Sequence, residues 1–370
     1  MITQIDTYIV DIPTIRPHKL SMTSMAVQSM VIVRITDDEG RQGIGEGSTI
    51  GGLAYGPESP ESIKTNIDTY FAPYLVGKTV DSPRLLMQHM NSAFRGNAIA
   101  KSAVQTALLD LQGKQLGVPI STLLGGACHS HLPCLWVLAS GDIDKDIYEA
   151  KKMIDEGRHN IFKVKIGSRA LQDDIVHVAT IKEALGASVS IRVDVNQAWS
   201  EAQAAYGMAA LQEAGIDLVE QPTAAKDFAS LVRLADKFTI GVLADESIAD
   251  SADCFALAAQ GFSGSVALKI GKAGGLFGAL DVAAVCSAAG IGLYGGTLLE
   301  GSIGTTAALH AWSTLPVIEA STEMFGPLLQ RDDIVKKPLN YHHYGVEIPS
   351  TPGLGLELDE DKLREYARKV

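Results

Sequence analysis

The chain has 370 residues, and 43 acidic against 31 basic side chains leave a net charge of −12. That balance argues against a nucleic-acid partner, because phosphate recognition needs a basic face. The length holds a barrel of about 250 residues with a smaller domain beside it. No apolar run reaches the roughly 18 residues of a membrane span, and residues 1–6 lack the basic and apolar regions of a signal peptide. A soluble, cytoplasmic protein is the expectation.

Residues 1 to about 48 read as antiparallel strands at 5–12, closed by Pro13, then at 29–35 and, after a turn at 37–40, at 41–46. Two loops stand out: a long one from His18 to Met25 and a glycine-rich one over 49–56. They are flexible connections or lids over a mouth, since long loops in compact domains are often lids. The run Gly43-Ile44-Gly45-Glu46-Gly47 is no dinucleotide fingerprint, because no helix opens after it.

Helices follow. Ser59 caps one that has Pro60 at its first position, residues 81–94 form another, and Ala98–Leu116 reads as a long amphipathic helix stopped by Gly117 and Pro119. Strands and helices in separate blocks indicate an α+β domain. Gly125-Gly126 marks its end. The stretch Cys128 to Cys134, with His129 and His131, matches no common zinc spacing and reads as a linker. Four cysteines in all make no disulfide framework.

From Leu132 strands and helices alternate. Strands are expected at 134–139, 161–166, 189–195, 216–220, 240–244, 265–270, 291–295 and 317–322, with helices between them. The architecture is α/β: a (β/α)8-type barrel over 131–330, an N-terminal α+β capping domain over 1–130, and a segment over 331–370 that packs back on the cap.

Each barrel unit delivers a charged residue at the same place. Lys163 and Lys165 close the second strand. Asp194, Glu220, Asp245 and Lys269 follow at steps of 29, 26, 25 and 24 residues from Lys165, about one strand–helix unit each. In parallel barrels, groups at the C-terminal strand ends share one mouth. Three carboxylates there repel one another unless a cation joins them or one keeps a proton. An all-oxygen set suits Mg2+ or Mn2+. Lys165 and Lys269 flank that metal. Lys163 and the metal are expected to depress the Lys165 pKa, making it an acid/base for proton transfer at a carbon α to a carboxylate. Glu323, after the last strand, is an acid or a supporting partner, and Glu300 reads as structural.

These residues resemble the enolase superfamily in its muconate-lactonizing subgroup. The matching runs are Lys163-Val164-Lys165, Asp194-Val195-Asn196, Glu220-Gln221-Pro222, Asp245-Glu246-Ser247 and Lys269. Enolase-superfamily sites use a Lys or His base with Mg2+. The runs Ile50-Gly51-Gly52-Leu53-Ala54-Tyr55-Gly56 and Thr322-Glu323-Met324-Phe325-Gly326-Pro327 narrow the likeness to the muconate cycloisomerase family. The resemblance implies Lys165 as acid/base, with Lys163, Lys269 and Glu323 supporting it. It implies Asp194, Glu220 and Asp245 as ligands of Mn2+ or Mg2+. Ile50, Tyr55, Asn196 and Phe325 would meet a small dicarboxylate. The implied reaction is reversible conversion of cis,cis-muconate to muconolactone by a homo-oligomer, an octamer by family likeness. Chloromuconate cycloisomerase, dipeptide epimerase and succinylbenzoate synthase are alternatives that share the lysines and the metal site. A ligand-binding barrel without catalysis is the competing class.

Overall fold

The computed structural model describes residues 1–21 and 23–369. Three antiparallel strands open the chain in the order β1 (Ile2–Lys19), β2 (Ser24–Asp37), β3 (Gln42–Ser48). The expected stop at Pro13 does not hold. β1 is an edge strand, so a proline can sit in it without leaving a sheet donor unmet; the register slips between Pro13 and His18 and then resumes. The expected long loop from His18 to Met25 is therefore a hairpin end in which His18 pairs with Met25.

Helix Pro60–Asn66 starts on a reciprocal cap between Ser59 and Ser62. Helix Ala98–Leu116 ends on left-handed Gly117. It is not amphipathic as expected. It lies between the cap sheet and the barrel and buries even Lys101, Gln105 and Asp110. Close approach to β3 explains two glycines: a Cβ on Gly43 or Gly45 would stand 2.1 or 1.9 Å from the carbonyl oxygens of Ala107 and Ala103.

A short strand, β4 (His131–Pro133), leads into seven parallel strands. These are β5 (Trp136–Leu138), β6 (Ile161–Lys165), β7 (Ser190–Asp194), β8 (Leu218–Glu220), β9 (Gly241–Ala244), β10 (Ser265–Leu268) and β11 (Gly292–Gly295). They lie side by side in chain order, with a helix after each of β5 to β11. The eighth expected strand, 317–322, is absent. Its place is filled by a short stretch in which Thr322 bridges in parallel to both Cys134 and Gly295. Leu135 N donates to Thr322 O at 2.9 Å and Glu323 N to Gly295 O at 2.7 Å, joining the two sheet edges. A whole strand is unnecessary where a run of four residues, Ala320 to Glu323, meets both edges.

β12 (Tyr341–His342) and β13 (Gly345–Glu347) pair with β4. The chain then returns to the cap, where Arg368 Nε donates to Asp11 at 2.7 Å and Leu354 N to buried Asp110 at 2.8 Å. Glu46 of β3 ties cap to barrel by accepting from Gly301 N at 2.6 Å and Gly304 N at 2.8 Å, at the start of helix Ser302–Trp312. Among the described residues no helix is long and apolar enough to cross a membrane, and all four cysteines are free.

Candidate active site

The strand register assembles the site. Lys165 lies opposite Asp194, and Asp194 opposite Glu220, at the last positions of β6, β7 and β8. Asp245 and Lys269 come one residue after β9 and β10 end, and Glu323 follows the bridging Thr322. Chain reversals just beyond are tight: Asn196, Gln197 and Gln221 adopt left-handed backbone. Gln221 locks two strand ends together, its Oε1 accepting from Asp245 N at 2.9 Å and its Nε2 donating to Ser247 Oγ at 2.8 Å.

The result is one pocket of about 390 Å3, counting the space at its mouth. Lys165, Asp194, Glu220, Asp245, Lys269 and Glu323 form its charged base. Ile50, Tyr55, Phe325, His18 and Asn196 line the same pocket. All expected site residues meet there except Lys163, which is fully buried beneath the carboxylates. Its ammonium bonds Glu220, lies 2.5 Å from Glu323 Oε1 and stands 4.9 Å from the centre of the Tyr294 ring.

Every carboxylate at the base is already paired. Lys165 bonds Asp194. Lys269 and Lys272 reach Asp245 at 2.7 and 2.6 Å, and the Tyr55 hydroxyl donates to Asp245 at 2.9 Å while accepting from Lys269 at 3.0 Å. Asn196 Nδ2 donates to Asp194 at 3.2 Å and Glu246 at 3.1 Å. Without a metal ion, these pairings act on the lysines in the direction opposite to the one expected with it. Burial and Lys163 work against the Lys165 ammonium, yet the Asp194 charge beside it leaves its pKa raised. Burial likewise opposes the Lys269 charge, and Asp245 more than offsets it. The neighbouring anions outweigh the neighbouring cation.

As the side chains stand, no three His, Cys, Asp or Glu residues among those described form a group ready to hold a metal ion. Asp194, Glu220 and Asp245 nevertheless suit one. They are buried oxygen donors lining one pocket, and with Glu246 and Glu323 they would, if all were ionised, carry one negative charge more than Lys163, Lys165, Lys269 and Lys272 neutralise. Burial, and after it the crowding of carboxylates, shows in the protonation. Burial and then the Asp194 charge push Glu220 up to about 8, and burial with Asp245 pushes Glu246 to about 7. Bound divalent charge would relieve the same strain and free the lysines.

Sequence reasoning missed Lys272, Glu246 and Thr297 as parts of this neighbourhood. Lys272 comes three residues after Lys269, in the turn that precedes helix Leu276–Ala289, a spacing that was visible but carried no distinctive motif. Glu300, expected to be structural, is buried outside the pocket and accepts from Thr297 Oγ1 and, at 2.8 Å, from Leu298 N.

A buried lysine–carboxylate mouth on a parallel barrel, closed by a separate α+β cap, defines an acid–base enzyme of the enolase type. Residues 146–362 match the model of the enolase C-terminal domain-like family, and residues 4–125 that of the mandelate racemase / muconate lactonizing enzyme N-terminal domain. Muconate cycloisomerase 1 of Acinetobacter baylyi is 50% identical, with 100% of both chains covered. A crystal structure of muconate lactonizing enzyme from Pseudomonas fluorescens complexed with muconolactone superposes with a TM-score of 0.98 at 51% identity, covering 99% of each chain. A chloromuconate cycloisomerase of Pseudomonas putida is 43% identical, with 99% of each chain covered. The chain belongs to the mandelate racemase / muconate lactonizing enzyme family, and members of its superfamily bind a divalent metal.

Proposed function

We propose that this protein catalyses the reversible cycloisomerisation of cis,cis-muconate to muconolactone, a step of catechol breakdown. One observation carries the reading: Lys165 faces the same pocket as three in-register or adjacent strand-end carboxylates. Identity of 50% to a muconate cycloisomerase, against 43% to a chloromuconate cycloisomerase, supports the unchlorinated substrate.

Asp194, Glu220 and Asp245 would hold Mn2+ or Mg2+ together with one substrate carboxylate. A divalent cation there supplies positive charge that lowers the cost of electron density building on that carboxylate. The other carboxylate adds through oxygen to the diene carbon that closes a five-membered lactone. The displaced electron pair moves to the carbon next to the first carboxylate, and Lys165 Nζ delivers its proton to that carbon. Reversal takes the same proton back to Lys165. Lys269 adds positive charge on the far flank, and Glu323, held by Lys163, is the supporting acid. Lys163 acts from below, by orienting Glu220 and Glu323. Ile50, Tyr55 and Phe325 line the pocket and would help exclude water. Family likeness further supports a cytoplasmic homo-octamer, which light scattering on the eluted protein would test.

The assay follows loss of conjugated-diene absorbance with purified protein, Mn2+ and cis,cis-muconate. We expect turnover that chelator removes and that Lys165→Ala lowers about 100- to 10,000-fold. Folded, Mn2+-loaded protein with no turnover would sink the reading. Chloromuconate assayed in parallel separates the two branches.

A further inference from the structure

The base of the pocket is an acidic wall that suits one carboxylate through a divalent cation. A muconate-like substrate has two. Its second carboxylate needs a donor elsewhere in the pocket, where most polar side chains already have a partner in the protein. Lys165, Lys269, Tyr55, Asn196 and Thr297 each have a hydrogen-bonding partner within the protein. His18 does not: it is 1% exposed, lines the pocket, and neither ring nitrogen has a hydrogen-bond partner. Buried polar groups are ordinarily satisfied, so an orphaned imidazole in a binding pocket points to a ligand.

Its placement is fixed from both sides. Two residues before it, Arg16 donates to Val137 O at 2.9 Å and pairs with Glu149. One residue after it, Lys19 N donates to Ala139 O at 3.2 Å. Both contacts pin the end of β1 to β5 and the residue that follows it. Within the pocket the imidazole lies 6.5 Å, centre to centre, from the Phe325 ring, which is itself 5.3 Å from that of Trp136. The ring is held ready rather than recruited by movement, which lowers the ordering cost of binding. Burial and the nearby charge of Arg16 keep it neutral, as one N–H donor and one acceptor.

We propose that His18 is the hydrogen-bond donor for the second carboxylate of a dicarboxylate substrate. This rests on the cycloisomerase reading of the same pocket. A single N–H bond would restrain one carboxylate oxygen and leave the other free to add to the diene. His18 thereby selects diacids over monoacids.

The test compares wild type, His18→Leu and His18→Gln, all full-length and Mn2+-loaded. Turnover of cis,cis-muconate is measured with competition by adipate, a diacid, and hexanoate, a monoacid of the same length. A hydrogen bond to a charged group sets the expected scale. For His18→Leu we expect KM and the adipate inhibition constant to rise about tenfold or more, kcat to change less than about threefold, and the hexanoate constant to stay put. His18→Gln, which keeps an N–H donor, recovers most of the loss. The melting temperature of His18→Leu should not fall, because an unpaired buried polar group has been removed. Unchanged adipate affinity overturns the proposal, as does equal weakening of adipate and hexanoate, or a lower melting temperature with no difference between the two acids. Should wild type not turn over muconate, the cycloisomerase reading fails, while direct calorimetry of adipate against hexanoate still decides the role of His18.

Discussion

The Lys163 ammonium stands 2.5 Å from Glu323 Oε1, with Glu220 bonded on its other side and no part of the lysine exposed. One buried cation thus holds two buried carboxylates at the floor of the pocket. Removing one member of such a group strands the others without a partner, which costs about 3–5 kcal/mol. Lys163→Met should lose stability on that scale in urea unfolding. A loss under about 1 kcal/mol would mean that the two carboxylates find other partners.

Asp245 differs, because two lysines reach it. Lys269→Met leaves Lys272 in place, so the fold should hold while the charge facing the substrate disappears. We expect kcat to fall about 100- to 1,000-fold, the scale of losing one stabilising donor at a reacting group, with the melting temperature nearly unchanged. Wild-type kcat in a folded Lys269→Met protein would remove Lys269 from the chemistry.

The raised carboxylates set a pH dependence. Glu220 moves from 4.5 to about 8 and Glu246 from 4.5 to about 7. Between those limits the folded chain binds protons that the unfolded chain has released. Their stabilisation is complete below about pH 4.5 and is lost as pH rises through about 7 to 8. Metal binding needs the deprotonated forms. Melts in chelator should therefore fall from pH 6 to 8.5, and the upward shift given by Mn2+ should grow over the same range. A Mn2+ shift of equal size at both pH values would contradict this coupling.

The cap brings β3 close to its long helix at Gly43 and Gly45. Gly45→Ala would drive its Cβ to 1.9 Å from the Ala103 carbonyl in helix Ala98–Leu116. Backbone cannot yield as a side-chain tip does, so about 3 kcal/mol or more should be lost. Gly56→Ala, with open space around its Cβ, serves as the neutral control. Urea unfolding of the two variants makes the comparison, and equal midpoints would refute the contact.

Much of the barrel is legible in the residues. Strands β6 to β11 lie where short β-rich apolar runs alternate with helical periods, and their ends fall within two residues of the expected places. The spacing of Lys165, Asp194, Glu220, Asp245 and Lys269 needs only one assumption, that each unit repeats the same geometry. What failed were expectations that treated local signals as final. Pro13 was read as a stop, but the edge position of β1 tolerates it. The stretch 317–322 resembled a strand, yet a short run from Ala320 to Glu323 completes the ring of hydrogen bonds.

Sequence by itself determined the barrel class, the charged strand ends and the kind of chemistry they permit, because strand periodicity and unit length are local properties of the chain. Only the tertiary structure decided the rest. It put Lys163 under the pocket instead of in it, raised the lysines that burial alone would lower, and left His18 from a distant hairpin without a partner. Each of those outcomes depends on which charges and donors lie within a few ångströms across long separations in sequence, and no local pattern encodes that balance.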